Sequence, residues 1–190
     1  MIIGLTGRNG AGKGTVAAWF TSRGFQYTSM SDAIRRDLRD RGLEVTRDNL
    51  IAGGRRLRTE GGAAVLGTHS LDHITATGGD RWIVDSVRNP AEVAALRSDA
   101  SFELIDVCAQ PRTRYERVVA RNRGGDAESF AEFLRQEEAE LNSTEAAAQQ
   151  LVATAALADR RFDNDGPVER LHAHLAAVYP AVAAMPVLNP

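Results

Sequence analysis

Apolar residues follow two rhythms along this chain. Short apolar-rich runs stand at Met1–Thr6, Arg81–Asp85 and Phe102–Val107, rich in Ile, Val and Leu. Runs of that length and content read as strands buried on both faces, the habit of a parallel sheet. Gln26–Met30 and Arg161–Asn164 are weaker strand candidates. Between these runs the apolar positions recur at i, i+3 and i+4, as in Val16, Trp19 and Phe20, which is the period of a half-buried helix. The pattern predicts helices over Thr15–Arg23, Asp32–Arg41 with Ser31 as its cap, Thr46 to Arg58, Ala63–Thr75, Pro90–Leu96, Pro111–Arg121, Glu145–Ala158 and Pro167–Val178. Ser129-Phe130-Ala131-Glu132 has the capping-box pattern and opens one more. Gly24, Gly42, Gly61-Gly62 and Gly78-Gly79 punctuate the series. Strands alternating with helices imply an α/β fold with a mainly parallel sheet.

Length and composition narrow this little. At 190 residues the chain suits one domain, or one domain with a mobile flap over 122–142. The net charge of −2 gives no global attraction to DNA or to an acidic membrane. No run of ~18 apolar residues is present, so no membrane span is expected. Met1–Leu5 has neither a basic leader nor a long apolar run, and Cys108 has no second cysteine to pair with, so a reducing, cytoplasmic setting is expected. The tail from 181 to 190 has prolines and no period and is expected to be loose. The distribution of cations is more informative. Of 23 basic side chains, 22 are Arg, and Lys13 is the single lysine. A compact ammonium and a planar guanidinium are not interchangeable, which marks position 13 as a site that wants a point charge.

Lys13 stands in Gly7-Arg8-Asn9-Gly10-Ala11-Gly12-Lys13-Gly14-Thr15. This is a G-x-x-x-x-G-K core set between a predicted strand and a predicted helix. Its glycines let successive backbone N–H groups point inward as an anion nest, and the helix adds its positive end. Lys13 then supplies charge to the β and γ phosphates of a nucleoside triphosphate, and Thr15 a hydroxyl. The hydroxyl usual directly after the lysine is replaced by Gly14, so Mg²⁺ is expected to be held through waters, by Thr15 and by Asp85 at the end of its strand.

The run from Gly7 to Thr15 resembles the phosphate loop of adenylate kinase and other nucleoside monophosphate kinases, where Gly-Thr follows the lysine and Pro often stands at the place of Asn9. Ser31-Asp32-Ala33-Ile34-Arg35 resembles the start of their acceptor-binding helix, and Val84-Asp85-Ser86-Val87-Arg88 their third-strand motif. Arg117 and Arg121 have the four-residue spacing of the arginines leading into their lid, and Phe162-Asp163-Asn164-Asp165-Gly166 resembles the loop beside the adenine in dephospho-coenzyme A kinases. The likeness is strongest to kinase-like proteins of archaea and bacteria related to dephospho-coenzyme A kinase, and to a kinase-like domain found beside some deoxycytidylate deaminases.

That resemblance implies a P-loop NTPase fold in three layers, with a five-stranded parallel sheet of order 2-3-1-4-5, a short helical lid and acceptor-binding helices. It implies one kinase domain over 1–180, with residues 31–78 facing the acceptor and 122–142 as lid. It implies ATP and Mg²⁺ as cofactors. Arg8, Asn9, Gly10, Ala11, Gly12, Lys13, Gly14, Thr15, Arg117 and Asn164 would bind ATP. Asp32, Arg35 and Arg88 would bind a nucleotide-like acceptor, such as a (deoxy)nucleoside monophosphate or dephospho-coenzyme A. Lys13, Asp85, Arg121 and Arg123 would serve the transfer.

Two other functional classes stay open on the sequence: a nucleotide sensor with little turnover, and a nucleic-acid-directed ATPase. For the kinase itself a modified nucleotide is a further acceptor, and a nucleotide within a DNA strand is disfavoured by the lack of a basic stripe or an aromatic platform. Monomer and homodimer are both open. His69 and His73 are spaced i, i+4 but lack an evident third metal ligand, and Asp163–Gly166 lacks the later Glu of a calcium loop.

Overall fold

The computed structural model describes residues 1–121, 129–141 and 147–188. Five strands form one parallel sheet in the order β2-β3-β1-β4-β5. They are β1 (Ile2–Thr6), β2 (Gln26–Ser29), β3 (Trp82–Asp85), β4 (Phe102–Cys108) and β5 (Arg160–Asp163). This is the P-loop NTPase sheet order expected from the sequence.

Alternation along the strands divides the core, since successive side chains point to opposite faces. Ile3, Leu5, Ile83, Ile105 and Val107 face α1 (Lys13–Thr21) and α9 (Val168–Val178), meeting Val16, Phe20, Leu171 and Leu175. Ile2, Trp82, Val84 and Leu104 face the other way. They meet α2 (Met30–Asp40), α4 (Val65–Thr77) and α5 (Pro90–Leu96) through Met30, Ile34, Leu66, Val93 and Leu96. Covering both faces makes three layers and explains why these strands lack polar alternation.

The two helices that follow β2 form a tight pair. Thr46 caps α3 (Arg47–Gly61) by accepting the Asn49 N–H. Gly53 and Gly54 lie buried inside α3, where a Cβ would stand 3.0 Å and 3.1 Å from methyl groups of Ile34 on α2. The two glycines that look like helix breakers in the sequence instead let α2 and α3 approach closely.

Four expectations need correction. The cap of α2 is Ser29, whose hydroxyl accepts the Ser31 N–H, so the helix starts one residue after the strand ends. Helix α1 begins at Lys13, not Thr15, because Gly12 takes the left-handed conformation that ends the loop. The Ala-rich stretch from 145 is helical only at α8 (Leu151–Ala155) among the described residues. Residues 148–150 spend their hydrogen bonds on Arg88 and Asn89 instead. The tail is also not loose through residue 188. It forms α10 (Pro180–Ala183), buries Val182 and returns along α1, with the Leu188 N–H donating to Ser22 O at 2.7 Å. A few apolar side chains suffice to dock it, without any period for the sequence to show.

Helix α6 (Pro111–Arg121) leads to α7 (Phe130–Leu141). The Glu132 N–H donates to the Ser129 hydroxyl, as the capping pattern predicts. The proposed lid loop at 122–128, with Arg123, and residue 142 lie outside the described residues.

Candidate phosphoryl-transfer site

The carboxyl ends of β1 and β3 open on a cleft of about 1420 Å³. Its floor is the loop between β1 and α1. Gly7, Gly10 and Gly12 have φ of 134°, 77° and 102°, a region closed to most side chains. All three are also required by crowding: a side chain at Gly7 would meet the Val107 carbonyl. A side chain at Gly10 would meet the Arg114 carbonyl, and one at Gly12 would collide with the amide of Asn164. The loop is therefore pressed against α6 on one side and the end of β5 on the other.

Lys13 arches back over this loop. Its Nζ donates to the carbonyls of Gly7 at 2.8 Å and Arg8 at 3.3 Å. Burial lowers its pKa to about 8. Arg88 and Arg121 push the same way, against Asp85 and Asp106. A cation held among cations, with donors converging on an open cavity, is a site awaiting an anion.

Asp85 ends β3. Its Oδ2 accepts the Tyr27 hydroxyl at 3.0 Å, and its Oδ1 accepts the Ser86 N–H at 2.6 Å. Burial and this carboxylate push the Tyr27 hydroxyl pKa upward. Ser86 has φ of 67°, the one non-glycine residue in the left-handed region among those described. Such backbone strain persists where the surroundings over-determine it, and it clusters at functional sites. Here it turns the chain sharply between Asp85 and Arg88.

A buried ion pair fixes the far side of that turn. Arg58, on α3, donates to Glu92 Oε1 at 2.8 Å and 2.6 Å. Glu92 Oε2 accepts the N–H groups of Arg88 at 2.8 Å and Asn89 at 3.0 Å. Burial raises the Glu92 pKa, while Arg58 and those two N–H groups pull it back. The pair thus carries the position of α3 to the backbone of Arg88.

The cleft gathers most of the residues singled out in the sequence. Asn9, Gly10, Gly12, Lys13, Gly14 and Thr15 line it, together with Arg117 and Arg121. Asp85, Arg35 and Arg88 line it as well. Arg121 donates to Asn9 Oδ1 at 2.8 Å, and Arg35 to Asp32 Oδ1 at 2.7 Å. Arg8 instead points to α7, with Nη1 3.8 Å from Glu137 Oε2. Asp32 has its side chain 53% exposed and reaches the cleft through Arg35.

Asn164 is buried and acts from behind the loop. Its Nδ2 donates to Ala11 O at 2.9 Å, while its carbonyl accepts Arg117 at 2.7 Å. That side chain is a brace under Gly12 and Ala11.

Sequence reasoning missed Tyr27, Gln149, Glu92 and the Arg114–Glu137 pair as partners of the site. Arg114 Nη2 donates to Glu137 Oε2 at 2.9 Å, its Nη1 to Glu137 Oε1, and its Nε to Ala109 O. The pair ties α7 to the phosphate loop from below. Asn89-Pro90-Ala91-Glu92 does form a capping box, a signal that could have located Glu92.

Among the described residues no three His, Cys, Asp or Glu side chains cluster. His73 packs edge-on against Trp82. One carboxylate and one hydroxyl, Asp85 and Thr15, suit an ion that keeps most of its waters, as Mg²⁺ does. No described helix is long and apolar enough to cross a membrane.

Comparison with known proteins gives consistent results. A family model described as an AAA domain matches residues 3–142. The chain is 31% identical over 172 residues to the UPF0200 protein of Methanothermobacter thermautotrophicus, spanning 90% of this chain and 85% of that one. It is 34% identical over 141 residues to the UPF0200 protein of Hyperthermus butylicus, spanning 74% and 76%. Two solved structures are similar over nearly their whole length. Shikimate kinase from Bacteroides thetaiotaomicron has a TM-score of 0.60 at 14% identity, covering 95% of this chain and 98% of that one. TT1252 from Thermus thermophilus has a TM-score of 0.58 at 21% identity, covering 95% and 97%. At such identities the likeness establishes a shared fold, that of P-loop kinases.

Proposed function

The chain belongs to the UPF0200 family and to the family of its AAA-domain match, and for this member we propose that it transfers the terminal phosphoryl group of ATP to a small, anionic, nucleotide-like acceptor. The supporting observation is one cleft with two cationic ends. The phosphate loop and Lys13 form the donor end, Arg35 and Arg88 the acceptor end, and Asp85 lies at the junction. A site that only senses a nucleotide needs the first end alone.

The chemistry asked of the protein is mostly positioning and charge stabilisation. Loop N–H groups and Lys13 hold the β and γ phosphates. The terminal phosphoryl group leaves the β-phosphate oxygen and bonds to an acceptor oxygen. Arg117 and Arg121 stand over the donor and take up charge on the transferring group. Asp85 accepts a hydrogen bond from the incoming acceptor where Tyr27 donates now. Thr15 and Asp85 would hold Mg²⁺ through its waters, and the ion would neutralise phosphate charge.

An ADP-release screen tests this, with ATP, Mg²⁺ and a panel of nucleoside monophosphates, deoxynucleotides, dephospho-coenzyme A and oligonucleotides. At least one small acceptor should stimulate release well above the ATP-only rate. Lys13→Ala should abolish it, and Arg35→Ala should raise the acceptor KM at least tenfold while leaving the ATP KM nearly unchanged. ATP binding without stimulation by any acceptor would favour a sensor. Stimulation by oligonucleotides alone would favour a nucleic-acid-directed ATPase.

A further inference from the structure

The segment before α8 crosses to the acceptor side and lies against Arg88. Gln150 N–H donates to Arg88 O at 2.8 Å, Asn89 Nδ2 donates to Ala148 O at 3.0 Å, and Arg88 Nη1 donates to Gln149 Oε1 at 2.8 Å. Gln149 itself lines the cleft.

Chemistry fixes which way this amide faces. A guanidinium carries donors and no acceptor, so the Gln149 oxygen must be the atom toward Arg88. Its NH₂ group is then turned away from Arg88, and it makes no hydrogen bond to any described residue. Gln149 thus does two things at once. It orients the guanidinium, and it presents a second, neutral donor beside it in the same cavity.

We propose that Gln149 is a specificity-determining residue of the acceptor site, aiming Arg88 and adding its own amide N–H to the same acceptor oxyanion. The proposal rests on the phosphoryl-transfer reading for its kinetic consequence, but not for its binding consequence. A phosphate oxygen brings negative charge to the Arg88 guanidinium and can meet it bidentately, where the Gln149 amide offers a single neutral acceptor. An acceptor phosphate therefore competes well for Arg88 while the amide NH₂ closes on its flank. A carboxylate at position 149 would invert this. It would pair with Arg88 and repel the oxyanion.

The test compares Gln149→Glu and Gln149→Met with the full-length wild type. With whichever panel acceptor gives turnover, Gln149→Glu should raise the acceptor KM more than tenfold and Gln149→Met about threefold to tenfold. The ATP KM and the melting temperature should stay near wild type. A purely structural residue would instead shift stability and both KM values together. The second measurement needs no turnover. The protein is saturated with a non-hydrolysable ATP analogue and titrated with inorganic phosphate, and the Arg88 Nε–H NMR resonance is followed. Phosphate should shift that resonance in the wild type and leave it in place in Gln149→Glu. An equal shift in both proteins, or an acceptor KM within twofold of wild type in Gln149→Glu, overturns the proposal. Absence of turnover with an intact, Gln149-dependent phosphate response would sink the kinase reading and leave this one standing.

Discussion

The two ends of the cleft are built differently. Around the phosphate loop the supports are polar and buried. Asn164 is 5% exposed and props Ala11, and Arg114 is 2% exposed and grips Glu137. On the acceptor side the elements facing the cavity are held mainly by apolar packing, with Ile34 laid against Gly53 and Gly54, and the Arg35–Asp32 pair lies near solvent. A network of directional bonds fixes one arrangement and is costly to disturb. Packing between two helices tolerates small rigid shifts. For the proposed transfer, the donor end needs its amides held to a fraction of an ångström to meet phosphate oxygens, and the acceptor end must admit and enclose a molecule. The buried Arg58–Glu92 pair is a polar anchor there, and it fixes the backbone at Arg88.

The sharpest way to break the donor half is Gly12→Ala. The new methyl group meets the Asn164 amide, and φ of 102° strains any side chain there. ATP binding should fall more than a hundredfold by calorimetry. Asn164→Ala in the same chain should not restore it, because the strained angle remains. Binding within threefold of wild type would show that the loop yields as readily as the acceptor wall.

Next in size is the Arg114–Glu137 pair. Removing one partner leaves the other charge buried, at a cost of about 3–5 kcal/mol. Glu137→Leu alone should lose that much stability in urea denaturation and weaken ATP binding. Replacing both partners, with Arg114→Met added, should recover most of the stability. The ATP defect should persist in the double variant, because the bond from Arg114 to the Asn9 carbonyl is also gone. If the double variant regains ATP affinity as well, the pair supports the fold but not the loop.

What the sequence revealed follows the same division. The strands and the phosphate loop were legible because they rest on local rules: short apolar-rich runs, glycine spacing, and one lysine among arginines. The partners of the site were not. Tyr27 meets Asp85 across 58 positions, Arg58 meets Glu92 across 34, and Arg88 meets Gln149 across 61. No periodicity encodes such contacts. Asn164 was singled out from its motif, yet its support of Ala11 depends on a hydrogen bond spanning 153 positions. Gln149 was hidden further by its Ala-rich neighbours, whose helix propensity is overridden by the bonds residues 148–150 make to Arg88 and Asn89. The docked tail was missed for a like reason, since burying Val182 requires no pattern.

The smallest expected effect sharpens the comparison most directly, because it reads the donor end alone. Lys13 has a pKa near 8 without nucleotide, depressed by burial and by Arg88 and Arg121. A bound polyphosphate favours the charged form, so it must raise that value. The signs follow by linkage. Between about pH 8 and 10.5 the unfolded chain binds the proton more tightly than the folded one, so Lys13 contributes stability that grows as pH rises through that window. ATP affinity moves the other way, falling up to about tenfold per unit above pH 8, because binding must then supply the missing proton. One lysine makes this directly observable. Labelling the chain with ¹³C-lysine gives a single Cε resonance, that of Lys13. Its midpoint should lie near pH 8 in the nucleotide-free protein and move upward by at least a unit with ATP. A midpoint already at the ordinary lysine value, unmoved by ATP, would mean that the ammonium is not held among competing cations over the phosphate loop. The donor end would then be no more preorganised than the acceptor end.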